Sequence, residues 1–118
     1  MKKKSILVID DDNGIVTALK FILEDVGYTA VVMDNLKLLN SVDLKDINLV
    51  LVDLLLSGID GKLVVKKIKE KNKTLPIIML SAHPSAKEQA MQAGVDDFLA
   101  KPFNIDELLA LVKKYTSK

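Results

Sequence analysis

Three carboxylates in succession, Asp10, Asp11 and Asp12, follow the apolar run Ile6 to Ile9 in ILVIDDDNG. Like charges side by side repel, and charges at the end of a buried strand are costly to desolvate. A fourth acid, Asp53, closes a second apolar run in INLVLVD, Ser81 follows a third in LPIIML, and Lys101-Pro102 follows DDFLA. Each residue alone has an ordinary role: Asp12 or Asn13 suits a helix cap, Asp53 a turn, Ser81 a cap and Lys101 the surface. Together they are acids, a hydroxyl and an ammonium at the ends of apolar runs. A divalent cation plus Lys101 would supply three positive charges against those of Asp10, Asp11 and Asp53. All-oxygen ligands suit Mg²⁺ (or Mn²⁺), which keeps several waters and bridges readily to a phosphate. A carboxylate facing a phosphoryl donor can act as the nucleophile and form an acyl phosphate. The cation and Lys101 would stabilise the equatorial oxygens during in-line transfer, and Ser81 would donate a hydrogen bond to the product.

The elements that must position these groups are legible in the hydropathy pattern. KSILVI, YTAVVM, INLVLVD, LPIIML and DDFLA read as strands, too short and too continuous for helices. Pro76 stands at a strand start, where its missing N–H is harmless. Between them lie helical stretches. Ile15, Ala18, Leu19, Ile22, Leu23 and Val26 fall on one stripe, stopped by Gly27. NLKLLNSV predicts a short second helix, and DGKLVVKKIKEK a third with Leu63, Val64 and Ile68 inward. PSAKEQAMQAG predicts a fourth that ends at Gly94. A fifth begins at Asn104 with Glu107 three residues on, a capping-box arrangement, and carries Ile105, Leu108, Leu109 and Val112 on its apolar face. Strands alternating with helices imply a parallel sheet with right-handed crossovers. The expected fold is a doubly wound α/β sandwich of three layers, five strands in the order 2-1-3-4-5 and five helices. Ligands in such sheets bind at the carboxyl ends of the strands, which is where Asp10, Asp53, Ser81 and Lys101 fall.

The 118 residues form one domain by length, with 49% apolar and 28% charged residues and no Cys. That composition excludes a disulfide framework, a thiolate nucleophile and Cys-ligated zinc. The apolar runs are too short to span a bilayer, and the lysine-rich start lacks the apolar segment of a signal peptide, so a cytoplasmic location is expected, with no membrane partner. Every basic residue is Lys, and only five aromatics occur, none of them Trp. Without Arg for bidentate contacts or aromatics for base stacking, direct nucleic-acid binding is not expected. The basic run KLVVKKIKEKNK reads as a solvated helix face.

These motifs resemble those of the receiver domains of two-component response regulators, the CheY-like superfamily with a flavodoxin-like fold, across essentially residues 1–118. The family pattern is an acidic pair after strand one, a phosphoacceptor Asp after strand three, Ser or Thr after strand four and Lys-Pro after strand five. Here these are Asp10 and Asp11, Asp53, Ser81, and Lys101-Pro102. The resemblance implies that the Leu55 carbonyl is a further Mg²⁺ ligand and that Lys101-Pro102 is cis. It implies a switch in which Ser81 moves toward the phosphoryl group and Phe98 follows, reshaping the face of helix four, strand five and helix five; Phe98 also reads as plain core packing. The resemblance also implies that Leu55 and His83 occupy positions that tune phosphate loss, although His83 reads more readily as an exposed loop residue. Two residues depart from the pattern: Ser57 stands where Pro is common, and Ser81 replaces the commoner Thr. The implied donor is a sensor histidine kinase or phosphotransfer domain docking near helix one. The output is then contact with a further protein, the state a monomer or a weak phosphorylation-dependent dimer. Leu111, off the main stripe of the last helix, is a candidate contact residue. Such a module promotes its own phosphorylation and dephosphorylation but is not a turnover enzyme.

Three other readings compete. A haloacid-dehalogenase-type phosphatase would use Asp10 and Asp12 as Asp-x-Asp, with Ser81, Lys101 and the Asp96-Asp97 pair. The order of acidic pair and lysine is reversed for that family, and Asp53 would have no role. A pseudo-receiver would switch without phosphorylation, against which the intact constellation counts. A flavodoxin-like cofactor binder would need a phosphate loop that no strand end carries.

Overall fold

The computed structural model describes residues 3–33, 43–56 and 59–117. Five strands, β1 (Ser5–Ile9), β2 (Thr29–Met33), β3 (Leu49–Asp53), β4 (Ile77–Ser81) and β5 (Asp97–Ala100), form one parallel sheet. Their order is 2-1-3-4-5, as the alternation of elements predicts. The four α-helices among the described residues are α1 (Asn13–Asp25), α2 (Gly61–Lys71), α3 (Lys87–Ala93) and α4 (Ile105–Thr116). The helix expected over residues 35–42 falls outside the described residues. A 3₁₀ turn at Pro84–Ala86 precedes α3, so the helix expected from Pro84 starts three residues late.

The sheet separates two apolar layers because successive strand residues point to opposite faces. Leu7, Ile9, Val50, Val52, Ile77 and Met79 meet Val64, Val65 and Ile68 of α2 and Ala90 of α3. Ile6, Val8, Leu49, Leu51, Ile78 and Leu80 meet Val16, Leu19 and Leu23 of α1 and Leu108 and Val112 of α4. β1, β3 and β4 are thus covered on both sides, which is why they read as unbroken apolar runs.

The helix stripes are rotated slightly from expectation. In α1, Val16 is buried while Ala18 is exposed, as is Val26 at the C-terminal cap. In α2, Val65 points inward and Leu63 is 56% exposed. In α4, Ile105 is exposed and Leu111, expected on a contact surface, is half-buried against the core. Short runs such as LVV and LLALV offer several adjacent apolar residues, and only the docking angle on the twisted sheet selects among them. The termini match the sequence signals. Asp12 caps α1, its Oδ1 accepting from the Gly14 and Ile15 N–H groups. The Asn104 side chain accepts from the Glu107 N–H at 2.7 Å. Gly27 and Gly94 take the left-handed backbone at the ends of α1 and α3, with φ of 99° and 111°.

Candidate functional site

Sheet register assembles the site. Ile9 pairs with Val52, so the residues that follow, Asp10 and Asp53, emerge side by side. Asp53 pairs with Leu80 and Ser81 with Ala100, so Ser81 and Lys101 arrive at the same rim. The Lys101 N–H donates to the Ser81 carbonyl at 2.7 Å, and the Leu54 N–H to the Leu80 carbonyl at 3.0 Å. These bonds extend the ladder one residue past the strands and hold the reactive side chains on a backbone with little freedom. The Lys101-Pro102 peptide is cis, as the resemblance implies.

One carboxylate oxygen from each of Asp10, Asp11 and Asp53 lies within 4.8 Å of the others. Asp10 is 1% exposed. Its Oδ1 accepts from the Asp12 N–H at 2.9 Å, and its Oδ2 lies 3.4 Å from Lys101 Nζ. The same ammonium stands 3.2 Å from Asp53 Oδ1. Lys101 therefore joins the acid of β1 to the acid of β3 and offsets part of their repulsion. The remainder shows in Asp53, whose pKa is raised by burial first and then by the Asp10 charge. Lys101 opposes the rise through its charge and hydrogen bond, and Asp11 adds to it. Three carboxylate oxygens this close together form the hard all-oxygen donor set that suits Mg²⁺.

Beside the acids is a cavity of about 150 Å³ lined by Asp53, Leu54, Ser81, Ala82, His83 and Lys101. Ser81 is buried, and its Oγ accepts from the His83 N–H at 2.9 Å. His83 itself is exposed at the cavity mouth. Phe98 lies one strand away in register with Met79, half-buried against the layer that holds α2 and α3. A second cavity of about 370 Å³, almost wholly apolar, adjoins Lys101 and is lined by Ile15, Ala82, Pro102 and Phe103. Nothing in the sequence marks Leu54, Ala82, Ile15 or Phe103 as neighbours of the site, because their apolar side chains carry no reactive group.

The phosphatase arrangement does not assemble. Asp12 is spent on capping α1. Asp96 and Asp97 sit at the start of β5, at the opposite end of that strand from Lys101. Asp96 Oδ2 accepts from the Ile77 N–H at 2.8 Å and from Lys69 Nζ at 3.0 Å. Asp97 accepts from the Tyr115 hydroxyl at 2.9 Å. Burial, that hydrogen bond and the charges of Asp97 and Asp96 push the Tyr115 pKa up to about 12.

A five-stranded parallel sheet in the order 2-1-3-4-5, with an acid cluster and a lysine at its carboxyl rim, defines the flavodoxin-like, CheY-like class. The chain belongs to the response regulator receiver domain family, whose model matches residues 6–113. It is 35% identical over 120 residues to the DNA-binding transcriptional regulator NtrC of Escherichia coli, covering 99% of this chain and 26% of NtrC. The chain thus spans about a quarter of that relative's length. It superposes with a TM-score of 0.90 on a crystal structure from Chloroflexus aurantiacus assigned as a response regulator, 33% identical, covering 99% of this chain and 100% of that one. The Thermotoga maritima response regulator TrrA, solved in complex with Mg²⁺ and BeF, is 35% identical with a TM-score of 0.83, covering 95% of this chain and 98% of that one. The protein is a signalling module of two-component systems, from a family that binds Mg²⁺ at an acidic pocket and works with histidine kinases. Among the described residues no helix is long and apolar enough to cross a membrane.

Proposed function

We propose that this chain is a phosphoacceptor module in which Asp53 receives a phosphoryl group from a sensor histidine kinase or phosphotransfer domain. The observation that carries the reading is the single ammonium of Lys101 set 3.2 Å from Asp53 and 3.4 Å from Asp10 beside a small open cavity. A carboxylate oxygen of Asp53 attacks phosphorus, the bond from phosphorus to the donor imidazole nitrogen breaks, and the imidazole leaves as the neutral ring once protonated. Lys101 places positive charge where the transferred group gains negative charge. Asp10, Asp11, Asp53 and the Leu55 carbonyl would hold Mg²⁺, which supplies further charge on the phosphoryl oxygens when bound. Ser81 Oγ accepts from the His83 N–H and keeps its own hydrogen, so a move toward the product would let the hydroxyl donate to a phosphoryl oxygen. That shift would free space for Phe98, whose half-buried position suits a ring that repacks, and would reshape the face of α3, β5 and α4. The apolar cavity next to α1 and Lys101 suits the docking of a donor helix near helix one. His83, exposed at the mouth, and Leu55 are the residues whose replacement would alter the lifetime of the phosphate. The domain extends over residues 1–118, and its output is contact with another protein rather than direct nucleic-acid binding.

Incubation with acetyl phosphate, followed on gels that retard phosphoproteins, tests the reading. Labelling is expected only with Mg²⁺ (or Mn²⁺), once per chain, and not in Asp53→Ala. Labelling without a divalent cation, or labelling that survives the substitution, would overturn it. Equal behaviour with and without beryllofluoride and Mg²⁺ in backbone NMR spectra would favour a module that switches without phosphorylation.

A further inference from the structure

After Asp53 the chain turns back at once. Leu55 and Leu56 pair antiparallel with Asp60 and Ile59, and α2 begins at Gly61. Gly61 thereby returns to the backbone it has just left, and its N–H donates to the Leu54 carbonyl at 2.7 Å. A Cβ on Gly61 would collide with the Asp53 carbonyl oxygen. It would also lie 2.8 Å from the Leu54 carbonyl oxygen and 2.9 Å from the Leu54 Cα, closer than real Cβ atoms approach. Gly61 does not have positive φ, so a missing side chain, not backbone freedom, is what the position needs. Neither side can easily yield. β3 is bonded to β1 and β4 on its two flanks, and Leu54 is bonded to Leu80. α2 is capped by Asp60 through the Lys62 N–H and seated by Val64, Val65 and Ile68, each 0% exposed.

We propose that Gly61 is a positioning residue for the phosphoryl and cation site: its bare backbone lets the first turn of α2 press against the Asp53–Leu54 peptide and fix the Asp53 carboxylate opposite Asp10 and Asp11. The inference rests on the reading of Asp53 as acceptor and cation ligand. Mg²⁺ demands near-ideal octahedral geometry, so a shift of a few tenths of an ångström at the Asp53–Leu54 peptide, which carries the Asp53 carboxylate and leads directly into Leu55, is felt as lost affinity. A side chain at Gly61 forces such a shift at the residues that carry the site, whereas an equally destabilising change elsewhere on α2 does not.

The test compares the wild-type chain, Gly61→Ala and Ile68→Ala, the last a cavity on the inner face of α2 away from the site. Mg²⁺ affinity is read by NMR titration, acetyl phosphate labelling by its saturation and maximal rate, and stability by thermal unfolding. Gly61→Ala is expected to weaken Mg²⁺ by about tenfold and to lower the maximal labelling rate, while Ile68→Ala melts earlier with Mg²⁺ affinity unchanged. Gly61→Ala with wild-type Mg²⁺ affinity and labelling would overturn the proposal. If wild type itself binds no Mg²⁺, the reading of the site fails, and carbonyl ¹³C shifts of Asp53 and Leu54 without metal decide the positioning role. Shifts displaced in Gly61→Ala but not in Ile68→Ala support the role, and unchanged shifts remove it. Should Gly61→Ala not fold, Asp60→Ala, which loosens the same turn without adding volume, is expected to weaken Mg²⁺ less but in the same direction; unchanged affinity there overturns the proposal.

Discussion

Replacing Asp53 by Asn removes one charge from the crowded rim while keeping the side chain's shape and an oxygen that can accept from Lys101. One carboxylate oxygen from each of Asp10, Asp11 and Asp53 lies within 4.8 Å of the other two. At that separation and an effective dielectric of about 20, each pair of charges repels by about 3.5 kcal/mol. Lys101, 3.2 Å from Asp53, attracts it by about 5 kcal/mol on the same scale. The two repulsions on Asp53 exceed the attraction by about 2 kcal/mol, and lost hydration acts in the same direction. The raised pKa of Asp53 has the same sign and the same causes. Screening in a partly open site brings the net cost to about 1–2 kcal/mol. In EDTA at neutral pH, Asp53→Asn is therefore expected to melt about 4–8 °C above wild type, given about 4 °C per kcal/mol for a domain of this size. The fold raises the Asp53 pKa above its ordinary 3.8, so the folded state binds the proton more readily than the unfolded chain. The cost of the charge is complete above the raised pKa and fades as pH falls through it toward 3.8. The advantage of Asn accordingly shrinks on acidification. Mg²⁺ reverses the order, because a site holding ion at a hundredfold excess over its Kd gains about 2.7 kcal/mol, and a cluster with one acid fewer gains less. Thermal unfolding by circular dichroism, in EDTA and in Mg²⁺ between about pH 4 and pH 7, measures all three effects. An Asn variant that melts below wild type in EDTA at neutral pH refutes the charge balance. Equal stabilisation of both proteins by Mg²⁺ refutes Asp53 as a ligand.

Lys101→Met leaves the buried Asp10 carboxylate without its cation and is expected to cost about 3 kcal/mol in urea unfolding without metal, with the deficit narrowing as Mg²⁺ is added; a variant as stable as wild type would contradict the ion-pair geometry. Asp12→Ala removes only the cap of α1, so a loss of about 1 kcal/mol with unchanged Mg²⁺ affinity and labelling is expected, and a large fall in labelling would revive the Asp-x-Asp reading. Asp96→Ala strips the acceptor from the Ile77 N–H and Lys69 and should cost about 1–3 kcal/mol while acetyl phosphate still labels Asp53. His83→Ala should change the rate at which label is lost without changing stability, since the side chain is exposed; an unchanged half-life would assign His83 to the surface alone.

Much of the site was legible because its parts are few, chemically distinctive and locked to strand ends. An acid after an unbroken apolar run is costly unless something compensates it, so Asp10 and Asp53 stand out before any pairing is known. The helix faces were less legible. Val64, Val65 and Leu63 are near-equivalent by composition, yet Leu63 is left in solvent because the contact with the sheet is settled by the orientation of the whole helix. Leu111 is half-buried against the core for the same reason. Gly61 passed as a residue at a helix start, since nothing in IDG reveals that the chain doubles back onto Asp53.

By itself, then, the sequence determined the alternation of strands and helices, the caps at Asp12 and Asn104, and the types of groups available for chemistry, because these depend on local periodicity and on side-chain chemistry. Only the tertiary structure decided which acids act together. Asp10 and Asp53 meet through the register of β1 against β3, Lys101 reaches both across two further strands, and Asp96 and Asp97 are carried to the far end of β5. Coulomb forces and metal coordination act over a few ångströms, and which residues come within that range is set by how the strands pair, not by their separation along the chain.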